Sequence, residues 1–310
     1  MAISGAPRVG EISGTPRVVA IGGGTGLAVS LSAIRSVTTD LTAVVSVADD
    51  GGSTGRLRTE LDLPALGDLR KAILALADHD SIWVDVMRHR FPAGDLQDHS
   101  FGNLLIAALL GSGCDLVEAV DRALELVAGV GRVLPNTEDP VTLCGWTGAG
   151  VIVTGQVEIM ETAGVERVWL DPDTAGTPKD VLLAIEEATH IVLGPGSLFT
   201  SLLAATAVPS ITDAIGATTA EFVYVANLRP QVPETGEFTL EDHLRALTAH
   251  GLQPDRVLVD SRHMSSDPNS PLAGELAGTM VVEDVALAAE NGFSHDPVLL
   301  ARALFGDSPG

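Results

Sequence analysis

The sequence predicts an α/β protein built on a doubly wound, mainly parallel sheet, and three observations carry that prediction. First, short β-branched runs stop at glycine-rich loops and re-emerge with helical spacing. Val18-Val19-Ala20-Ile21 leads into Gly22-Gly23-Gly24-Thr25-Gly26, and His190-Ile191-Val192-Leu193 leads into Gly194-Pro195-Gly196-Ser197. The apolar run 41–48 ends at Asp49-Asp50-Gly51-Gly52-Ser53-Thr54-Gly55-Arg56-Leu57-Arg58. Second, strand-like runs alternate with helical ones along most of the chain, the pattern of βαβ units. Third, 310 residues, 45% of them hydrophobic, allow the large core such a sheet needs. Parallel strands put their following loops on one edge of the sheet, where open α/β sheets bind ligands.

The elements follow in order. Residues 27–34 carry an apolar helical pattern. After the second loop, Leu69, Ala72, Ile73, Leu76 and Ala77 keep the spacing of an amphipathic helix. Asp68 opens it, where a carboxylate caps free N–H groups. Residues 82–91 predict a helix ending before Pro92, and the run 104–110, apolar all round, predicts a core helix. Another helix is expected over 115–128, closed by Gly129 and Gly131. From about 132 to 168 short runs at 132–135, 141–143, 151–153 and 157–159 lack helical period, so a small antiparallel β insertion is expected there. Helix returns at 178–188 with Pro178 in its first turn. Strands at 190–193, 222–226, 256–259 and 280–282, helices at 240–249 and 297–305, and a loop over 261–279 complete the chain.

Charge and composition exclude several classes. Acidic residues number 41 and basic residues 18, a formal charge of −23. Such a surface repels phosphate backbones and anionic membranes, so neither nucleic acid nor a membrane is an expected partner. No apolar run approaches the roughly 20 residues of a membrane span. Residues 1–16 are small, polar and Gly/Pro-bearing without the apolar stretch of a signal peptide. A disordered tail is expected there, followed by a single domain over 17–310. Cys114 and Cys144 have no metal-type spacing and read as buried free thiols, in keeping with a cytoplasmic protein.

The candidate site gathers at the strand ends. Glycine loops backed by helix N-termini present N–H groups to phosphate. The first loop does not complete G-x-G-x-x-G, since Leu27 stands at the third glycine position, and no lysine makes it a P-loop. This argues against a dinucleotide-dependent oxidoreductase. Lys71 and Lys179 are the only lysines, so Arg56, Arg58 and Arg70 are candidates for bidentate phosphate binding, with ion pairing to Asp62 or Asp68 as the plainer role. His99, Ser100 and Asn103 stand at the start of an apolar helix, an anion-friendly place, and a capping role for His99 is equally open. Asn227 ends a strand on the same edge and is a base- or ribose-contact candidate. Asp49 and Asp50 have two available roles: holding Mg²⁺ against a diphosphate, or accepting hydrogen bonds from ribose hydroxyls and loop N–H groups.

With these motifs in place the chain resembles the gluconeogenesis factor family, related to the CofD phospholactate transferases. The matching stretches are Ile21 to Leu27, Val47 to Arg58, Gly67-Asp68-Leu69-Arg70, His99-Ser100-Phe101-Gly102-Asn103-Leu104-Leu105, Gly131-Arg132-Val133-Leu134-Pro135 and Leu193 to Ser201. The resemblance implies a Rossmann-like fold, a bound nucleotide or nucleotide sugar such as a UDP-sugar, and a role linking carbon supply to cell-wall synthesis and cell shape. In the transferase branch the equivalent loops bind a guanine nucleotide, Mg²⁺ and a deazaflavin acceptor. The run Ser53 to Arg58 looks like the gluconeogenesis factor branch, and the loop Leu228-Arg229-Pro230-Gln231-Val232-Pro233-Glu234-Thr235 departs from the usual pattern. The expected nucleotide- and phosphate-binding set is therefore Gly22, Gly23, Gly24, Thr25, Gly26, Ser53, Thr54, Arg58, His99, Asn103, Gly194, Gly196, Ser197, Thr200 and Asn227. Asp49 and Asp50 are the Mg²⁺ candidates, a transferase is the alternative to a regulator, and a homodimer is left open.

Overall fold

Strand β1 (Val18–Gly22) is buried along its whole length, as a continuous apolar run must be when helices cover both faces of a parallel sheet. It pairs in parallel with β2 (Leu41–Val45) on one side and β7 (His190–Leu193) on the other. The computed structural model describes residues 15–51, 63–264 and 280–306. The expected tail, the loop residues Ser53, Thr54, Arg56 and Arg58, and most of the expected loop 261–279 lie outside the described residues.

The main sheet has seven strands in the order β10-β9-β8-β7-β1-β2-β3, every pairing parallel. Its other members are β3 (Arg132–Pro135), β8 (Glu221–Val225), β9 (Arg256–Val259) and β10 (Val281–Asp284). The chain lays down β1, β2 and β3 in one direction, then returns to β7 and builds outward the other way. The order reverses between β1 and β7, and a crevice opens at such a switch point beyond the strand C-termini. Both glycine loops that follow these strands lie there.

Helices follow most strands of the main sheet and pack against it. After β1 comes α1 (Gly24–Arg35), burying Leu27, Leu31, Ala33 and Ile34; each large side chain so buried is worth about 1.5–3 kcal/mol. Next are α2 (Gly67–Leu76), α3 (Ile82–Arg88), α4 (Phe101–Gly111) and α5 (Leu116–Leu126). Beyond β7 a π-helical turn, Leu198–Leu203, runs into α8 (Ala204–Thr206). Between these, α6 (Gln156–Met160) and α7 (Lys179–Glu187) flank the strand β6 (Val165–Asp171). The chain ends with α9 (Pro209–Ala217), α10 (Leu240–Ala249), α11 (Ser261–Met264) and α12 (Pro297–Phe305).

Three expectations need correcting. Arg132–Pro135, expected to open the β insertion, is instead the edge strand of the main sheet, paired in parallel with β2. The insertion is a three-stranded antiparallel sheet of β4 (Thr142–Thr147), β5 (Ile152–Thr154) and β6, in the order β5-β4-β6. The run 157–159, read as a strand, lies in α6 because the Asp50 carboxylate caps that helix. Secondly, α3 stops at Arg88; His89 to Phe91 run extended beside His99 to Phe101, with Phe101 N–H donating to the His89 carbonyl at 2.9 Å. Thirdly, α4 is not a core helix. It buries only Gly102, Asn103 and Ile106, and its leucines are half-buried, since only one flank packs on α3 and α5. Both cysteines are free thiols, Cys144 buried and Cys114 half-buried. No single helix among the described residues is long and apolar enough to cross a membrane.

Candidate functional site

The first loop is shaped by what its glycines leave out. Gly24 has φ +65°, a left-handed conformation that costs an L side chain about 1–2 kcal/mol. A Cβ on Gly23 would stand 2.6 Å from Asp68 Oδ2, and one on Gly26 only 2.1 Å from the Pro195 carbonyl oxygen. The absence of side chains therefore lets the start of α1 press directly onto the third loop. Ser30 Oγ donates to the Gly194 carbonyl at 2.6 Å and ties the same two pieces together. Leu202 packs beneath Gly22, Gly194 and Gly196, so a single side chain supports both loops.

Helix α1 has no side-chain cap from Gly23. Its Gly24 N–H donates to Asp68 Oδ2 at 2.7 Å, and Asp68 Oδ1 pairs with Lys71 Nζ at 2.8 Å. Thr25 and Gly26, the next two residues, have N–H groups that no helical carbonyl can reach. Both residues line a cleft of about 280 Å³ with Gly196, Asn227, Gln231 and Arg229. At its lip the Arg229 guanidinium lies 4.0 Å above the ring of Phe293, whose side chain is 73% exposed. His295, also on the wall, donates from Nε2 to the Ala226 carbonyl at 3.1 Å, which leaves Nδ1 as an acceptor. Burial pulls this imidazole down to about 4, so it stays neutral near neutral pH.

The third loop is held by two side chains. Asn227 accepts from Gly196 N–H at 3.0 Å and donates to the Gly196 carbonyl at 2.8 Å, fixing the loop against the end of β8. Glu234 accepts from the N–H groups of Phe199 and Thr200 at 2.8 and 3.1 Å and from the Ser197 hydroxyl. Ser197 and Thr200 were expected to meet a phosphate. Here the Glu234 carboxylate already fills that anion position, and the Thr200 and Ser197 hydroxyls bond to each other. Burial pushes the Glu234 carboxyl above the ordinary carboxylate range, against the opposing pull of these three bonds.

The second loop runs toward the insertion. Asp50 Oδ2 and Oδ1 accept from Gln156 and Val157 N–H at 3.1 and 3.0 Å, capping α6. Asp49 Oδ1 accepts from Gly51 N–H at 2.9 Å. Burial pushes the Asp49 carboxyl up, helped by the charges of Asp68 and Asp50 and opposed by Gly51 N–H and Lys71. Asn136, fully buried, accepts from Val47 N–H and donates to the Ala204 carbonyl, locking the loop base to α8. No group of three His, Cys, Asp or Glu among the described residues forms a ready metal set.

The structure thus brings Gly22, Gly23, Gly24, Thr25, Gly26, Gly194, Gly196 and Asn227 together at the switch point. His99 and Asn103 are buried at the start of α4, where Asn103 Oδ1 accepts from Arg70 Nε at 3.0 Å. Glu234, Asn136 and the Arg229–Phe293 pair were not singled out in the sequence. Two of them lie in the loop 228–235 that departs from the family pattern, and no local signal marks a residue whose partner is distant in sequence.

The model of the family described as 2-phospho-L-lactate transferase CofD matches residues 18–291. The chain belongs to the CofD family. Among its relatives is the gluconeogenesis factor of Halalkalibacterium halodurans, 38% identical over 277 residues, covering 88% of this chain and 86% of that one. A relative from Clostridium acetobutylicum is 40% identical over 257 residues, and the match spans 81% of this chain but 57% of that longer protein. A crystal structure of a UPF0052 family member from Bacillus halodurans superposes with TM-score 0.86 at 34% identity, covering 94% of this chain and 99% of the other. This CofD-family chain therefore has the α/β architecture of its solved neighbour, and its glycine loops fall inside the family match.

Proposed function

We propose that the chain binds a nucleotide sugar, of UDP-sugar type, in the switch-point cleft and acts as a regulator in the manner its gluconeogenesis factor relatives are named for. The observation that carries this reading is the placement of Thr25 and Gly26, in the first turn of α1 just past the N–H that Asp68 caps, on the wall of the cleft. A helix N-terminus is suited to a diphosphate. The Arg229–Phe293 lip supplies a cationic and an aromatic face for a base. The paired amides of Asn227 and Gln231, 3.2 Å apart, offer donors and acceptors for sugar or base edges. A cytoplasmic link between carbon metabolism and cell-wall synthesis belongs to the same proposal, as does a homodimer.

Mg²⁺ enters this reading only as an assistant to the diphosphate. Asp50 spends both oxygens on α6, whereas Asp49 Oδ2 makes no hydrogen bond among the described residues and is the oxygen left for a cation. The alternative is a CofD-type transferase acting on a guanylyl-phospholactate donor, which the family match favours. Mass spectrometry of small molecules released from the purified, denatured protein separates the two. A nucleotide sugar, bound again in calorimetric titration, is the expected result. Recovery of a deazaflavin or a guanylyl-phospholactate, or turnover of such a donor, overturns the regulator reading.

A further inference from the structure

Arg70 is 6% exposed, in the first turns of a helix buried nearly all round. Its side chain lies against the start of α4, where a Cβ on Gly102 would meet Arg70 Cδ at 2.7 Å and the Met87 carbonyl at 3.0 Å. Its Nε donates to the neutral amide oxygen of Asn103, and among the described residues the two terminal guanidinium nitrogens have no protein acceptor. Neither of these nitrogens is sealed from solvent, so the otherwise buried arginine presents an open guanidinium edge that no carboxylate among the described residues covers.

Two more arginines converge on the same place. Arg88 ends α3, one residue after the carbonyl that touches Gly102. Arg90 is paired through its backbone with Ser100, the residue that caps α4. Both are exposed, and among the described residues none of the three arginines forms an ion pair. Arg90 donates to the Asp98 carbonyl at 2.7 Å. Arg70 is pulled down to about 10, first by burial, then by the charge of Arg90, with Arg88 adding to it. Among the described residues Asp68 is the carboxylate that opposes this, and both of its oxygens are taken by Gly24 N–H and Lys71. Among the described residues the three positive groups therefore have no ion-pair partner, on a chain of formal charge −23.

We propose that Arg70, Arg88 and Arg90, with the N-terminus of α4 at Ser100 and Asn103, form a second ligand site that binds a phosphoryl-bearing small molecule. It is separate from the nucleotide cleft, none of whose lining residues belongs to it. Guanidinium forks match tetrahedral oxyanions bidentately, and an uncompensated pair or trio of them selects a dianion over a single carboxylate. The N–H groups at the start of α4 supply further donors. On this reading His99 and Asn103 serve the second ligand and not the nucleotide phosphates. The protein then reads two molecules at once.

Inorganic phosphate is the probe, added to the full chain at constant ionic strength with chloride as the control. Wild type should show a saturable rise in unfolding temperature. In the Arg88→Ala/Arg90→Ala double variant, whose changes are on the surface, reaching the same rise should need about tenfold more phosphate for each arginine removed. Arg70→Lys keeps the charge but not the fork and should weaken phosphate binding without unfolding the chain. A phosphate response equal in wild type and double variant overturns the proposal, as does the lack of a saturable response in wild type. Repeating the titration at saturating UDP-sugar should leave the phosphate response intact; its disappearance would place phosphate in the nucleotide cleft and also overturn the proposal. Failure of UDP-sugar to bind at all sinks the nucleotide reading alone, because the phosphate titration is complete without it.

Discussion

Asp68 and Gly24 are joined by a 2.7 Å hydrogen bond from the glycine N–H to carboxylate Oδ2, so one side chain in the first turn of α2 caps the start of α1. A carboxylate at two helix N-termini is favoured by both dipoles. The geometry depends on Gly23, whose missing Cβ leaves the space that Asp68 Oδ2 occupies. The glycine loop is thus built as a receptor for an internal carboxylate at its first N–H, and exposes the next two to ligand.

Asp68→Ala should therefore lower stability by about 1–3 kcal/mol, the cost of leaving a part-buried N–H without its acceptor. Lys71→Ala removes only the ion pair. Since the Lys71 side chain is 37% exposed, that loss should stay below about 1 kcal/mol. Urea unfolding of the two variants checks the ranking. Equal midpoints would show that the carboxylate's role is the ion pair and not the cap.

Two neighbouring glycines should behave differently. At Gly24 a Cβ meets nothing within 4 Å, and only the positive φ resists it. Gly24→Ala should cost about 1–2 kcal/mol with the cleft preserved. At Gly26 a Cβ meets backbone, the Pro195 carbonyl, which cannot swing away as a side chain could. Gly26→Ala should cost roughly 3 kcal/mol or more and abolish nucleotide-sugar binding, because α1 must lift off the third loop. Calorimetric titration and thermal unfolding of both variants test this, and a folded, binding-competent Gly26→Ala protein would contradict the close approach.

The contrast also shows what was legible in the sequence. The strand-loop-helix grammar around β1 and β7 reads directly from period and glycine, because those signals are local. The helix 240–249 and the strand 256–259 were likewise read at their observed bounds. Arg132–Pro135 reads as part of the insertion but pairs with β2, since a short apolar strand carries no mark of its partner. Helix α4 was read as core from its apolarity alone, whereas burial depends on what packs against it. Glu234 and the partners of Asp50 are beyond reach for the same reason: the N–H groups these carboxylates cap lie about 35 and 106 residues away. A hydroxyl-rich loop such as Ser197 to Ser201 looks like a phosphate cradle until a distant carboxylate is found inside it.

The last prediction concerns pH. His243 is 4% exposed and accepts or shares a 2.8 Å hydrogen bond with Tyr224 Oη. Burial lowers its pKa from 6.5 to about 4, against a small opposing pull from Asp242. The folded chain therefore keeps this imidazole neutral down to about pH 4, while the unfolded chain protonates it near 6.5. Between these values the unfolded state binds more protons, so the contribution to stability is complete above pH 6.5 and is lost as pH falls toward 4. Glu234 acts in the opposite sense. Its raised carboxyl keeps a proton in the folded state above 4.5, so its contribution declines as pH rises from there. The two are separated by His243→Gln, which keeps an acceptor for Tyr224 but does not titrate. Urea unfolding of both proteins at pH 4.5 and 7.5 should show the difference in stability shifting in the variant's favour at the lower pH, by on the order of 2–3 kcal/mol. A gap that stays constant between the two pH values would mean that His243 takes up its proton equally in the folded and unfolded chain.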